Sequence, residues 1–165
     1  MITSQVKKQY DKIKTRMELN MITSQTKKQY DRIKRIMGLE DSCSTKFLNM
    51  GWEVGENTDS SKMADFYLSY KGAVIGYIDI KMCDDLQQYF KQMKRNRGFL
   101  EHLYKRYIQL FQTVKPTSYF FTNGFQYDLY IFGNYYCSLT SPPSPEDLLI
   151  IVEKLKNEGG NNNDE

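Results

Sequence analysis

The sequence predicts an α/β domain with a mixed central β-sheet flanked by helices and with a helical extension at its N-terminus. Three observations lead to this prediction. Short runs rich in aromatic and β-branched residues alternate with longer segments of helical periodicity. Glycine-containing pairs separate several of the short runs, as they do in β-hairpins. The first forty residues are two near-identical copies of one amphipathic segment.

Residues 1–20 and 21–40 are identical at 14 of 20 positions, and each copy has a Thr-Ser pair typical of a helix N-terminus. The first forty residues contain ten Lys and Arg against four Asp and Glu, whereas the remaining 125 contain 13 against 16. We interpret residues 1–40 as a basic helical arm that suits phosphate backbones. A solvated helix face, or a helical pair that packs on itself or on a partner, has the same pattern. The nucleic-acid-binding candidates in the second copy are Lys27, Lys28, Arg32, Lys34 and Arg35.

Residues 41–158 are predicted to form the domain itself, and residues 159–165 an unfolded polar tail. The predicted elements, in chain order, are a helix ending at Gly51, a short strand at 52–54, strands on either side of Lys71-Gly72, helices at 84–97 and 99–114, strands on either side of Asn123-Gly124, and a helix beginning at Pro145. We expect a type I′ turn at Asn123-Gly124.

The hairpin at Lys71-Gly72 carries the main functional candidates, Asp65, Asp79 and Lys81. Strand side chains alternate between faces, so the loop length decides which of them meet. A two-residue loop pairs Asp65 with Ile78 and directs Asp79 to the opposite face. A three-residue loop pairs Asp65 with Asp79 and places Lys81 on the same face. We therefore expect a loop of odd length or a bulge.

Two carboxylates held this close repel each other unless a cation lies between them, and oxygen ligands suit Mg²⁺ or Mn²⁺. The carbonyl oxygen of Ile80 is a candidate third ligand. Lys81 would then orient a water and stabilise the charge that develops on a scissile phosphate. An edge hairpin whose polar face meets water explains the same residues without any chemistry.

The order of elements resembles that of the PD-(D/E)xK nuclease superfamily, and within it the N-terminal nuclease domain of type I restriction enzyme R subunits. The resemblance covers about residues 40 to 133. It rests on Gly51-Trp52 at a strand entry, Ala64-Asp65 before a strand, Asp79-Ile80-Lys81 at a strand end, and Pro116 followed by Thr122-Asn123-Gly124. It implies a restriction-endonuclease-like fold and a metal-dependent nuclease that acts on DNA.

In that resemblance Asp65 and Asp79 are metal ligands and Lys81 is the catalytic lysine, with Glu40 or Asp41 as a further metal contact. The chain departs from the family pattern at two places. Leu103 stands where the family often has Gln ahead of Tyr107, and Asp79 stands where the type I proteins usually have Glu. The missing Gln-x-x-x-Tyr pattern and the small size of the chain favour the alternative function, a catalytically inactive nuclease-fold module that binds nucleic acid or a protein partner.

A second basic cluster follows the hairpin and is interleaved with aromatic residues, so it is a candidate for holding the DNA backbone. Its aromatic residues also suit the buried stripe of a helix, with the basic residues on the solvated side. The candidates are Lys91, Lys94, Arg95 and Arg97.

The chain has no phosphate-binding loop of the G-x-x-x-x-G-K-[ST] type, so it needs a motor partner for any movement along DNA. A DNA-recognition protein is the second kind of partner that we consider. Cutting both strands of a duplex needs two sites, which suggests a homodimer or a partner. With no apolar run near 18 residues, no signal peptide, and three cysteines without C-x-x-C spacing, we expect no membrane association, and an intracellular, cytoplasmic protein.

Overall fold

The structure of the protein is a computed structural model that describes residues 1–19, 23–58, 64–95 and 118–162. Within these ranges it is a mixed α/β domain. The helices are α1 (Ser4–Glu18), α2 (Ser24–Asn49), α3 (Leu86–Arg95) and α4 (Pro145–Asn162). The strands are β1 (Glu53–Glu56), β2 (Phe66–Tyr70), β3 (Ala73–Ile80), β4 (Ser118–Thr122), β5 (Tyr127–Ile131) and β6 (Asn134–Leu139).

The six strands form one mixed sheet in the order β1-β2-β3-β4-β5-β6. All neighbours are antiparallel except β3 and β4, which are parallel and therefore need a crossover connection. Helix α3 belongs to that crossover, and the predicted helix at 99–114 lies outside the described residues, as do Pro116, Leu103 and Tyr107. Among the described residues, the mixed sheet and the order of helix, three strands, helix, two strands and final helix are confirmed, and β6 is an additional strand before α4.

Both faces of the sheet are covered by helices. On one face, Phe47 of α2 and Leu148 and Val152 of α4 pack against the inward residues of the strands. On the other face, Leu86 of α3 packs with Tyr119 and other aromatic side chains of the strands. Each fully buried apolar side chain of this size contributes about 1.5–3 kcal/mol relative to its exposure to water, so the sheet is held from both sides.

The hairpin of β2 and β3 contains the expected bulge. Lys71 and Gly72 form a two-residue loop with φ angles of 51° and 80°, so that Tyr70 pairs with Ala73. The register then shifts between Leu68 and Ser69, because Ser69 pairs with Val74 and Leu68 with Gly76. Ile75 is the extra residue. The prediction of a bulge is confirmed, and the alternative of a loop of odd length is wrong.

The bulge is supported from the neighbouring strand. The hydroxyl of Ser118 donates a hydrogen bond of 3.0 Å to the carbonyl oxygen of Ile75, the bulged residue. Ser118 lies directly opposite Gly76 in the parallel pair of β3 and β4. A Cβ atom at Gly76 would overlap the Ser118 hydroxyl. The absence of a side chain at Gly76 therefore makes room for the hydroxyl that donates to the carbonyl oxygen of the bulged residue.

The turn at Asn123-Gly124 differs from the prediction. Thr122 pairs with Tyr127, which leaves a four-residue loop, and Asn123 is not among the described residues with positive φ. Its buried side chain instead accepts hydrogen bonds from the amides of Phe125 and Gln126, at 3.0 and 2.9 Å. A type I′ turn needs positive φ at both loop residues, so the type I′ prediction is wrong.

The N-terminal helices form an antiparallel hairpin. Thr3, at the start of α1, contacts Glu40, whereas Tyr10 stacks on Tyr30. Residues further along α1 therefore contact residues nearer the start of α2. Each helix has the predicted threonine cap: Thr3 accepts from the amide of Val6, and Thr23 from that of Thr26. Helix α2 continues without a break to Asn49. The predicted boundary between residues 40 and 41 therefore falls inside a helix, and the arm is continuous with the domain.

The C-terminal helix is longer than predicted. The sequence predicts an unfolded tail from residue 159, but α4 continues to Asn162. Gly159 lies on this helix with open space around it, since a Cβ there would meet nothing within 4 Å. Residues 163–165 of the predicted tail lie outside the described residues.

We expect Gly76→Ala to lower the free energy of unfolding by about 1–3 kcal/mol, because overpacking a filled site forces side chains or backbone to move. The added methyl group would overlap the Ser118 hydroxyl and lie 3.2 Å from the Ser118 carbonyl oxygen. Urea unfolding measures the change. Gly38→Ala is the matched control: a Cβ at Gly38 meets nothing within 4 Å, so we expect α2 to gain about 0.5–1 kcal/mol. Equal stability of Gly76→Ala and the wild type would contradict this account.

Candidate metal and nucleic-acid site

Asp79 and Lys81 meet at the end of β3. The Nζ atom of Lys81 lies 3.2 Å from Oδ1 of Asp79, and the two side chains are only 15% and 6% exposed. The hydroxyl of Tyr119, on the neighbouring strand, donates to Oδ2 of Asp79 at 3.4 Å. The amide of Lys81 donates to the carbonyl oxygen of Thr122 at 2.8 Å, which extends the parallel pairing and fixes the backbone that carries both residues.

Asp65 reaches the same strand end from β2. It stands one residue before β2, and its amide donates to the carbonyl oxygen of Ile78 at 2.9 Å. Its carboxylate oxygen Oδ2 accepts a hydrogen bond of 2.7 Å from the amide of Ile80. Since Ile80 lies between Asp79 and Lys81, the structure brings the three predicted site residues together around the end of β3.

Glu40 joins this site from helix α2. It is 1% exposed, and its carboxylate accepts from the amide of Thr3 at 2.8 Å and from the Thr3 hydroxyl at 2.8 Å. The alternative candidate, Asp41, lies at the surface and pairs with the amino group of Met1 at 2.7 Å. Of the two acids that the sequence offered here, Glu40 is the one that lines a cavity together with Asp65.

A cavity of about 660 Å³ opens next to these residues. Helices α1 and α2 form one wall, which includes Lys12, Arg32 and Glu40. The other wall consists of the strand ends with Asp65 and Lys81, together with α3 residue Tyr89. Cationic and anionic side chains therefore line the same space, with the carboxylates of Glu40 and Asp65 at its α2 and β2 ends.

Burial disfavours the ionised form of both acids that line the cavity. Burial raises the pKa of the Asp65 carboxyl, while the hydrogen bond from the Ile80 amide and the charge of Lys81 lower it in part. Burial also raises the pKa of Glu40, against the hydrogen bonds from Thr3, and the charge of Asp65 raises it further. A raised carboxyl pKa means that the ionised form is unfavourable where it stands, which a bound cation would relieve.

The donor chemistry of the site suits a hard divalent cation, because carboxylate and carbonyl oxygens are the ligands that Mg²⁺ prefers. Among the described residues, no group of three or more His, Cys, Asp and Glu side chains is placed to hold a metal ion. A cation at Asp65 would therefore need backbone oxygens and waters among its ligands, which is usual for Mg²⁺.

The basic residues assigned to nucleic-acid binding fall into separate groups. Arg32 lines the cavity, whereas Lys27, Lys28, Lys34 and Arg35 are exposed elsewhere on α2. The Nζ atom of Lys34 lies 5.2 Å from the ring centre of Tyr30. On α3, Lys91 is exposed. The side chains of Lys94 and Arg95, and the whole of Arg97, lie outside the described part of the chain.

Sequence reasoning missed four polar residues of the cavity, Gln5, Gln9, Lys12 and Gln29. Lys12 occupies in the first copy the position that Arg32 occupies in the second, and Gln9 and Gln29 are likewise equivalent. Treating both copies alike would have identified Lys12 from Arg32. The three glutamines carry no charge, and only the folded structure reveals them.

In comparisons with known proteins, no family model, no curated protein and no solved structure matches this chain. None of the described helices combines the length and the apolar character that crossing a membrane requires. The interpretation of the site therefore depends on its own residues and geometry.

We expect the wild type to lose stability relative to Asp65→Asn as the pH rises. Asp65 has a raised pKa in the folded state, so its contribution to stability is complete below its ordinary pKa of about 4 and is lost as the pH rises through the raised value. Asparagine does not titrate, and its side-chain oxygen can still accept from the Ile80 amide.

Urea unfolding from about pH 4 to about pH 8 tests this difference. The free energy of unfolding of Asp65→Asn minus that of the wild type should increase with pH. Asp31→Asn, at an exposed position of α2, is the control and should change stability by no more than about 0.5 kcal/mol at any pH. A difference for Asp65→Asn that is constant with pH would contradict the prediction.

Proposed function

We propose that the protein is a metal-dependent nuclease that hydrolyses phosphodiester bonds in DNA. The observation that carries the proposal is the meeting of Asp65, Asp79 and Lys81 around the end of β3, beside a cavity with cationic side chains on its opposite wall. The order of helices and strands around the mixed sheet supports kinship with the restriction-endonuclease-like fold and the PD-(D/E)xK superfamily. The similarity to type I restriction R subunits is also part of this proposal.

In this proposal Asp65 and Asp79 hold Mg²⁺ or Mn²⁺, with the Ile80 carbonyl oxygen and waters as further ligands and Glu40 as an additional acid nearby. The cation, when bound, supplies Lewis-acid polarisation of the phosphate and activation of a water. Lys81 provides a fixed positive charge where negative charge develops on the phosphate. Asp79 orients the Lys81 ammonium through their contact, and the Ile80 amide orients the Asp65 carboxylate.

A second candidate is a nuclease-fold module that binds nucleic acid or a protein partner without cutting. One observation favours it: each acid of the site already has a polar partner within the protein. Asp65 accepts from the Ile80 amide, Asp79 contacts Lys81, and Glu40 accepts from Thr3. Such carboxylates are satisfied without a metal, so metal binding separates the two candidates.

We expect the wild type to cut plasmid DNA with Mg²⁺ or Mn²⁺ and to stop in EDTA. Asp79→Asn and Lys81→Met should each lower the rate at least about 100-fold, because each removes a charge from the reacting centre. Glu153→Gln and Lys154→Met, both on α4, are exposed changes of the same type and should keep the wild-type rate.

Melting curves must accompany these rates, since breaking the Asp79–Lys81 contact leaves one buried charge without its partner. A folded Asp79→Asn protein without cleavage supports the proposal. Cleavage that persists in EDTA, or in both folded site variants, would show that this site is not responsible for it.

We further expect Mn²⁺ or Mg²⁺ to raise the melting temperature of the wild type. A ligand that binds only the folded state stabilises it by about 2.7 kcal/mol at 100 times its Kd. The shift should disappear in Asp65→Asn and Asp79→Asn and should persist in the exposed control Asp31→Asn. Glu40→Gln shows whether Glu40 is a ligand, since only a ligand's removal reduces the shift. A folded wild type that binds DNA but shows no shift with either metal would favour the second candidate.

A further inference from the structure

The N-terminal duplication brings matched side chains to the cavity. Three pairs of equivalent positions in the two copies line it, namely Gln9 and Gln29, Lys12 and Arg32, and Ile13 and Ile33. The antiparallel packing explains the match.

Tyr10 and Tyr30 occupy equivalent positions and stack with their ring centres 6.0 Å apart. Two copies of one sequence that cross antiparallel at equivalent residues are related by a local twofold axis, so the same side of each copy can face the same space. The buried Ile13 and Ile33 anchor this side. Lys12 and Arg32, one residue earlier, then present two cations at the cavity.

Three cationic side chains line the cavity together with the carboxylates of Glu40 and Asp65. Lys12 and Arg32 lie on the helical wall, and Lys81 lies on the strand wall next to the acids. Gln9 and Gln29 add amide donors that can hydrogen-bond to phosphate or sugar oxygens. Three cations on two walls can contact three phosphates of one strand, with Lys81 at the middle one.

The reacting groups are recessed, which limits the form of the substrate. The side chains of Lys81 and Asp79 are 15% and 6% exposed. A volume of about 660 Å³ is in the range of small-ligand pockets. Duplex DNA is stiff, with a persistence length of about 50 nm, and would lie across the rim of such a cavity. An unpaired strand bends freely, and Tyr89 in the cavity wall is an aromatic surface on which a base can stack.

We propose that the cavity binds a single, unpaired nucleic-acid strand, with Lys12 and Arg32 on the phosphates that flank the one at Lys81 and with a base stacked on Tyr89. The proposal rests on the proposed nuclease function for the position of the central phosphate. In this proposal the two copies of the N-terminal segment each supply one phosphate contact, Lys12 from the first copy and Arg32 from the second.

The test is fluorescence anisotropy with a labelled DNA strand of about 12 nucleotides, free or annealed to its complement, in EDTA so that no cutting occurs. We expect the full-length wild type to bind the free strand at least about 10-fold more tightly than the duplex. Each phosphate contact contributes about 0.7 to the slope of log K against log salt for a single strand. The double variant Lys12→Ala/Arg32→Ala should therefore reduce that slope by about 1.4.

Lys154→Ala/Lys156→Ala on α4 is the matched control, because it removes the same charge from two exposed positions outside the cavity wall. It should leave the slope unchanged. Tyr89→Ala should weaken binding of the free strand about 10-fold, and Tyr89→Phe should restore it.

Equal or tighter binding of the duplex would overturn the proposal. So would a salt slope that falls as much in the control as in the cavity variant, because that result indicates general attraction to a basic surface. Binding in EDTA does not depend on cleavage. A protein that binds the free strand through Lys12 and Arg32 but never cuts with Mg²⁺ would overturn the nuclease function and support the strand-binding cavity.

Discussion

The candidate site depends on one irregularity, the bulge at Ile75 in β3. A regular hairpin on the two-residue loop at Lys71-Gly72 would set Asp65 opposite Ile78 and direct the side chains of Asp65 and Asp79 to opposite faces of the sheet. The extra residue moves the register so that Phe66 pairs with Ile78. The residue before Phe66 is thereby brought level with the residue after Ile78, which is Asp79. Gly76 and Ser118 maintain the bulge, so the site depends on two residues that do not belong to it.

A second constraint holds the helical wall over the site. The first turn of a helix has amides without partners inside the helix, and carboxylates are favourable there. In α1 these partners come from other elements: Glu40 of α2 accepts from the amide of Thr3, and Glu56 of β1 accepts from the amide of Ser4 at 2.8 Å. The cost is a buried carboxylate at Glu40 with a raised pKa. The same contact that positions α1 therefore places an unfavourable negative charge at the edge of the cavity.

Much of the fold could be predicted because the buried strands carry their signal in the sequence. Their aromatic and β-branched runs indicate β2 to β5, and the requirement that Asp65 and Asp79 share a face predicted the bulge. Strand β6 has a weaker signal, because only Cys137 and Leu139 pack against the core, whereas Tyr135 and Tyr136 are 51% and 43% exposed on a sheet edge. The prediction of a type I′ turn at Asn123 failed because the surroundings of this residue in the folded protein decide the turn. Its side chain is buried and acts as a hydrogen-bond acceptor for the loop, a role that the Asn-Gly pair does not reveal.

The candidate site was predictable to a similar degree. Asp65, Asp79 and Lys81 lie on one hairpin, so strand periodicity together with the predicted bulge relates them. Lys12 and the cavity wall were not predictable, because they depend on how α1 folds back on α2, and an amphipathic pattern does not specify which surface it covers. The duplication contained part of the answer, since two copies of one helix invite an antiparallel pair with equivalent residues at the centre.

The differences between the two copies follow their surroundings. Four of the six lie in the last six positions of the repeat, where the first copy ends and the second continues into the domain. Leu19 at the end of the first copy is 66% exposed, whereas its equivalent, Leu39, lies next to the Gly124 loop. Asn20 of the first copy is replaced by Glu40, the acid that binds Thr3. The two copies thus keep most residues of the face that they share. They differ where only the second copy continues into the domain, because that part of α2 must pack against the domain as well as line the cavity.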